Sequence, residues 1–167
     1  MKHTLLALAL AALAGTSFAD VSVRFDEGAP KDTFYITNEG TCALNDVKVV
    51  LDLGASAAGL IFDVTGSGAG VSVFQPLELI RGQDALVSVP EVRDGDAVLE
   101  LPVRMLPPGA GIAFTIDVDD TRGSAATMIS GGEIEGAEVI VKSQGTTLTA
   151  PFKRDGTAVV GMNSCNA

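Results

Sequence analysis

Histidine is all but missing from this chain: among its 167 residues there is one, His3, with no tryptophan, one tyrosine and two cysteines. Without a histidine beyond position 3, the usual Ser-His and Cys-His nucleophile pairs cannot be assembled. No Gly-x-Ser-x-Gly elbow is present, and Ser67, in Gly66-Ser67-Gly68, reads as part of a flexible glycine loop. The same glycines, with Gly70, lack the Lys-Ser/Thr ending of a phosphate loop and lead into strand-like residues rather than a helix. Two cysteines without histidine make a poor zinc set. Basic residues are scarce as well, 11 against 21 acidic ones for a net charge of −10. That balance argues against nucleic acid and against anionic membrane surfaces, both of which need surplus Lys and Arg. It suits solubility and cation binding.

Long apolar runs are also absent, apart from one at the start. Met1-Lys2-His3 is followed by an apolar stretch from Leu5 to Ala14 and then Gly15-Thr16-Ser17-Phe18-Ala19. A positive start, a short hydrophobic run and small residues at Ser17 and Ala19 form the three-part secretory signal. A membrane anchor is the alternative, but a spanning helix needs about 20 apolar residues. Residues 1–19 are therefore expected to be cleaved between Ala19 and Asp20, leaving residues 20–167 as one exported domain without a membrane span, periplasmic or secreted. Cleavage removes Lys2 and His3, so 10 basic residues face 21 acidic ones. In an oxidising compartment Cys42 and Cys165 are expected to pair, closing a loop of roughly 120 residues that the chain-entropy account credits with about 4–5 kcal/mol. Two free thiols or a metal pair are the alternatives.

What the chain has in quantity is alternation. Val21, Val23 and Phe25 alternate with Ser22, Arg24 and Asp26, and Val47, Val49, Leu51 and Leu53 with Lys48, Val50 and Asp52. Ile112, Phe114, Ile116 and Val118 line one face of a segment whose other face carries Thr115, Asp117 and Asp119. Further short runs lie at 34–37, 60–64, 71–74, 86–89, 98–103, 139–141, 146–152 and 157–162. Turn signals separate them: Asn38-Glu39-Gly40, Asp94-Gly95-Asp96, Pro107-Pro108-Gly109, Gly131-Gly132 and Asp155-Gly156. Period-two alternation marks half-buried strands. About ten of them, with no long 3.6-period segment, predict an all-β antiparallel sandwich, immunoglobulin-like or Greek-key. Arg24, Arg81, Arg93 and Arg104 read as scattered outward positions, and Phe74 to Leu79 as core or as an exposed ridge. The acid-rich stretch from Asp26 to Asp32 reads as a plain connection.

The candidate site is Asp117-Val118-Asp119-Asp120. Asp117 and Asp119, two apart on a strand, share a face, and Asp120 enters the loop. Ca²⁺ takes about six to eight oxygens, and carboxylates alternating at a strand end can supply several. Asp63 can join them if its strand is adjacent. Glu133 and Glu135 form a second same-face pair. The alternative is a solvated acidic edge that discourages edge-to-edge pairing. Carboxylate pairs also leave open a hydrolase.

Phe25-Asp26-Glu27-Gly28-Ala29-Pro30-Lys31-Asp32, Gly59-Leu60-Ile61-Phe62-Asp63-Val64-Thr65-Gly66, Val73-Phe74-Gln75-Pro76 and Phe114-Thr115-Ile116-Asp117-Val118-Asp119-Asp120-Thr121 together resemble the bacterial aggregation factor core proteins, short exported proteins similar to a core protein of the marine sponge aggregation factor. The resemblance covers roughly residues 20–142. It implies a role in adhesion, aggregation or matrix assembly, with a protein or glycan at the cell surface, or a second copy, as partner. A periplasmic structural or accessory domain without a ligand is the competing expectation.

Overall fold

The computed structural model describes residues 19–66, 74–122 and 129–162. Within them the alternating segments form eleven strands: β1 (Ala19–Asp26), β2 (Asp32–Asn38), β3 (Leu44–Asp52), β4 (Ile61–Phe62), β5 (Glu78–Arg81), β6 (Val98–Leu106), β7 (Gly111–Ile116), β8 (Val118–Asp119), β9 (Glu138–Ser143), β10 (Thr146–Pro151) and β11 (Thr157–Met162). One sheet runs β11-β1-β2-β7-β5 and the other β10-β9-β3-β6, while β4 and β8 form a separate two-stranded ribbon. The pairings between these strands are antiparallel. Residues from the inner faces of both sheets meet in one hydrophobic cluster, so the fold is the expected all-β sandwich.

Alternation decides which side chains enter that cluster. Val21, Val23 and Phe25 of β1, Phe34 and Ile36 of β2, and Ile112, Phe114 and Ile116 of β7 face Val49 and Leu51 of β3, Leu99 and Leu101 of β6, and Val139 and Val141 of β9. Phe34 is the aromatic hub: its ring centroid lies 5.1 Å from Phe25, 5.4 Å from Phe114 and 6.5 Å from Phe62. Fully burying each such ring contributes about 1.5–3 kcal/mol. The inner row of β2 ends in polar residues at both extremes, Asp32 and Asn38, buried as deeply as the Phe34 and Ile36 between them. On the outer face of the second sheet, Glu100 bridges Lys48 at 2.7 Å and Lys142 at 3.9 Å, beside the buried Val50 and half-buried Ile140.

Several expectations change. Residues 86–89 form no strand; Leu86 makes one bridge to Val103 and the Val87 amide donates to the Pro102 carbonyl. Pro102 has no amide to return and Pro90 none to give, so the ladder stops there. The Phe74–Leu79 stretch divides: Phe74 is exposed, Leu77 and Leu79 pack on the core, and β5 begins inside it as a sheet edge. The expected run through Val118 breaks at Asp117, where the chain leaves β2 and pairs with β4 instead. Gly131-Gly132 opens a one-turn helix, α1 (Gly131–Ile134), rather than a turn. Glu133 is therefore no strand partner of Glu135: its carboxylate accepts the Ser130 amide at 2.7 Å in a capping box. Arg24, Arg81, Arg93 and Arg104 are exposed as expected. No helix among the described residues is long and apolar enough to cross a membrane.

Ala19 pairs with Met162 at the start of β1 and Asp20 with Gly161. The remainder of the expected signal segment, Cys165, Ser67 and residues 71–73 lie outside the described residues. Cys42 is half-buried and packs against the core.

Candidate functional site

The site forms where one strand changes sheets. At the end of β7, Ile116 still pairs with Asp32 of β2; two residues later Val118 pairs with Phe62 of β4. The change leaves amides along the bend in need of acceptors. The Asp32 carboxylate supplies one, taking the Val118 amide on one oxygen at 3.1 Å and the Gly28 amide on the other at 3.0 Å. Gly28 has to be glycine, because a Cβ there would sit 2.2 Å from the Lys31 carbonyl. The Asp63 amide donates to the Asp117 carbonyl at 3.1 Å, extending the β4–β8 register by one pair. Residues opposite one another on an antiparallel ribbon share a face, so Asp63, Asp117 and Asp119 project together. On the other side of β8, the Thr121 hydroxyl donates to the Gly59 carbonyl at 2.7 Å, and Gly59, with φ of +64°, leaves no room for a side chain against it.

Asp63, Asp117 and Asp119, three of the four residues expected to bind Ca²⁺, thus come together, and all three are buried, with 0%, 6% and 3% of their surface exposed. Asp120 lies just past β8 and is half-buried. Two further carboxylates join the cluster. Asp32 is 1% exposed. Asp94 accepts the amides of Val64 and Thr65 on one oxygen, each at 3.0 Å, and its carboxyl faces that of Asp63. Both carboxylate oxygens of Asp63 and one of Asp117 are buried without a hydrogen-bond partner.

The electrostatics follow from burial against the phenylalanine core. Asp63 is pushed from 3.8 up to about 7, first by loss of water and then by the carboxyls of Asp94 and Asp119. Asp32 also rises to about 7: burial outweighs the pull of the Gly28 and Val118 amides, and Asp117 and Asp119 add repulsion. Asp117 rises to about 6 through burial and Asp119. The largest influences on these three, among the described residues, are burial, acidic neighbours and backbone amides. Every donor here is oxygen, the set that hard cations such as Ca²⁺ prefer. Among the described residues, no three acidic, histidine or cysteine side chains already close around one point as a metal site; the carboxylates approach one another in smaller groups.

Sequence reasoning missed Asp32 and Asp94. Asp32 carried a usable signal, since it continues the period-two row of Phe34, Ile36 and Asn38. Asp94 carried none: it sits in an Asp-Gly turn that a loop brings to Asp63 from 31 positions away.

No family model, curated protein or solved structure matches the chain.

Proposed function

We propose that the protein is an exported, non-enzymatic β-sandwich module acting in adhesion, aggregation or matrix assembly, and that its acidic end takes Ca²⁺. The observation that carries the calcium reading is Asp63, a carboxylate with no exposed surface set against the carboxyls of Asp94 and Asp119. Burying like charges together is costly unless they are paired, coordinate a metal or hold protons. A divalent ion among Asp63, Asp117 and Asp119, with Asp120 at the loop, relieves that cost and fixes the ribbon to the sandwich.

The non-enzymatic reading rests on the missing histidine beyond His3. The extracellular setting rests on the secretory signal at residues 1–19, and adhesion on the resemblance to aggregation factor core proteins. The partner is a protein or glycan at the cell surface, or a second copy of the chain.

The deciding experiment is thermal unfolding of the mature protein in millimolar Ca²⁺ and in chelator. Ca²⁺ at about 100 times its Kd stabilises the folded state by about 2.7 kcal/mol. An unchanged Tm sinks the calcium reading and leaves a structural or accessory domain. Beads coated with the protein should clump in Ca²⁺ and disperse in chelator. Alkylation without reductant should leave the mass of the mature protein unchanged if Cys42 and Cys165 are bridged; two added labels refute the bridge.

A further inference from the structure

We propose that the cleft at the β9–β10 hairpin end of the four-stranded sheet binds an acidic polysaccharide, one whose sugars carry a carboxylate or sulfate beside free hydroxyls. This names the partner of the adhesion reading above and rests on it, but uses none of the residues at the acidic end.

Register builds the site. Thr147 of β10 pairs with Lys142 of β9, Lys142 with Lys48 of β3, and Lys48 with Pro102 of β6. Residues paired across antiparallel strands share a face, so this row crosses the outer face of all four strands. With strands about 4.8 Å apart, the row is about 14 Å long. Two clefts lie along it. One, of about 300 Å³, is lined by Asp46, Lys48, Lys142, Gln144 and Thr147 among others, and the next, of about 180 Å³, by Lys48, Val87 and Pro102. Asp46 and Lys48 belong to both, so the surface is a continuous track suited to a chain rather than a single ion.

The lysine pair is the anomaly. Like charges placed directly opposite on neighbouring strands repel. Lys48 and Lys142 share one carboxylate, that of Glu100, at 2.7 and 3.9 Å, and both side chains are exposed. The register also sets Arg104 against Asp46, between the pairs Asn45–Met105 and Val47–Val103. Lys48, Lys142 and Arg104 thus face two carboxylates, Asp46 and Glu100, in a chain that has 11 basic and 21 acidic residues overall. Two further features fall on the same cleft. Ser143 lines it, is 6% exposed, and has a buried hydroxyl without a partner; such a group calls for an explanation, and a bound ligand supplies one. Asp46 and Gln144, at φ of +50° and +31°, are the two non-glycine residues among those described that hold left-handed backbone. The tight hairpin explains the angle at Gln144 but not the choice of glutamine over asparagine.

The lining sets the ligand's chemistry. Two ammonium groups select an anion. The Asp46 carboxylate, Gln144 amide and Thr147 hydroxyl beside them accept and donate hydrogen bonds, which suits hydroxyl groups. Asp46 and the net charge of −10 disfavour a polymer of closely spaced phosphates. A sugar acid, with one anion and several hydroxyls per ring, satisfies both halves of the lining.

The test is calorimetric binding of the mature protein, in chelator, to polygalacturonate, dextran sulfate, neutral dextran and polyglutamate. We expect binding to polygalacturonate or dextran sulfate, the tighter of the two identifying the anion, with weaker binding to polyglutamate and none to neutral dextran. Affinity should fall as salt rises, because the charges are exposed. Lys48→Gln and Lys142→Gln should each weaken binding about two- to fivefold, and the double variant about tenfold, as exposed ion pairs do. Glu100→Gln removes the competing carboxylate and should tighten binding, while Lys153→Gln, outside the cleft, should change nothing. No binding to either acidic polysaccharide, equal binding to neutral dextran or polyglutamate, or a double variant that binds as the parent does overturns the proposal. Coated beads that still clump in Ca²⁺ while polysaccharide binding is absent leave the adhesion reading standing and this one refuted.

Discussion

Strand β2 ends in a buried polar residue at each extreme, and the two ends solve the same problem in opposite ways. Asn38, with no exposed surface, donates to the carbonyls of Cys42 at 2.8 Å and Leu106 at 2.9 Å and accepts the Gly40 amide at 3.0 Å. It is neutral and well satisfied, and it ties three chain segments together. Asp32 accepts two amides but is charged, and it faces Asp117 and Asp119 across the bend into β8. One end is a closed hydrogen-bond knot. The other is a buried carboxylate beside two more. The contrast separates a neutral buried group, whose hydrogen bonds close on the backbone, from a charged one that burial and acidic neighbours push toward protonation.

The comparison can be broken most forcefully at the satisfied end. Asn38→Leu strips partners from two buried backbone groups and one half-buried one, each buried one worth about 1–3 kcal/mol when left unmade. We expect a loss of about 3–4 kcal/mol in chemical denaturation, with or without Ca²⁺. A loss that disappears in Ca²⁺ would mean that the two ends are not independent.

At the acidic end the sign reverses. In chelator at pH 8, Asp63→Asn should raise stability by about 1–3 kcal/mol, because one pKa unit corresponds to about 1.4 kcal/mol and the lost charge is both desolvated and repelled. The gain should shrink as pH falls toward about 4, below which the folded and unfolded chains both hold the proton. A variant less stable than the parent at pH 8 would show that the Asp63 charge is balanced after all.

The parent protein in chelator should show the matching pH dependence. Asp32 and Asp63 titrate near 7 and Asp117 near 6 when folded, against 3.8 for the unfolded reference. Between about pH 4 and 7 the folded state binds more protons, so stability is full at the acid side and falls as pH rises through 6 to 7. Tm should be lower at pH 8 than at pH 5, and Ca²⁺ should recover it at pH 8. A Tm that climbs across this window would contradict the site. The smallest effect belongs to the exposed Lys48–Glu100–Lys142 cluster, where Glu100→Gln should cost about 0.2–1 kcal/mol and less in high salt.

Much of the fold was legible because alternation is a local signal. Rows such as Val21-Val23-Phe25 and Val47-Val49-Leu51 each carry their own statement of which face is buried, and no distant residue is needed to read it. The errors fell where a neighbour decides. Residues 86–89 alternate well but meet a proline-bearing edge in β6. Glu133 looks like a strand residue until Ser130 caps a helix with it. The site was half legible for the same reason: Asp117 and Asp119 share a face by spacing alone, and Asp63 was tied to them only by the supposition of an adjacent strand.

The sequence by itself determined an all-β sandwich, the lack of histidine beyond His3, and an excess of acidic over basic residues. Only the tertiary structure decided that Asp32, Asp63, Asp94, Asp117 and Asp119 meet at one end, because their convergence depends on β8 leaving one sheet for a ribbon with β4 and on a loop delivering Asp94. Strand spacing sets faces within a few residues. Which faces meet, and whether a carboxylate there keeps its water, is settled by packing across the core.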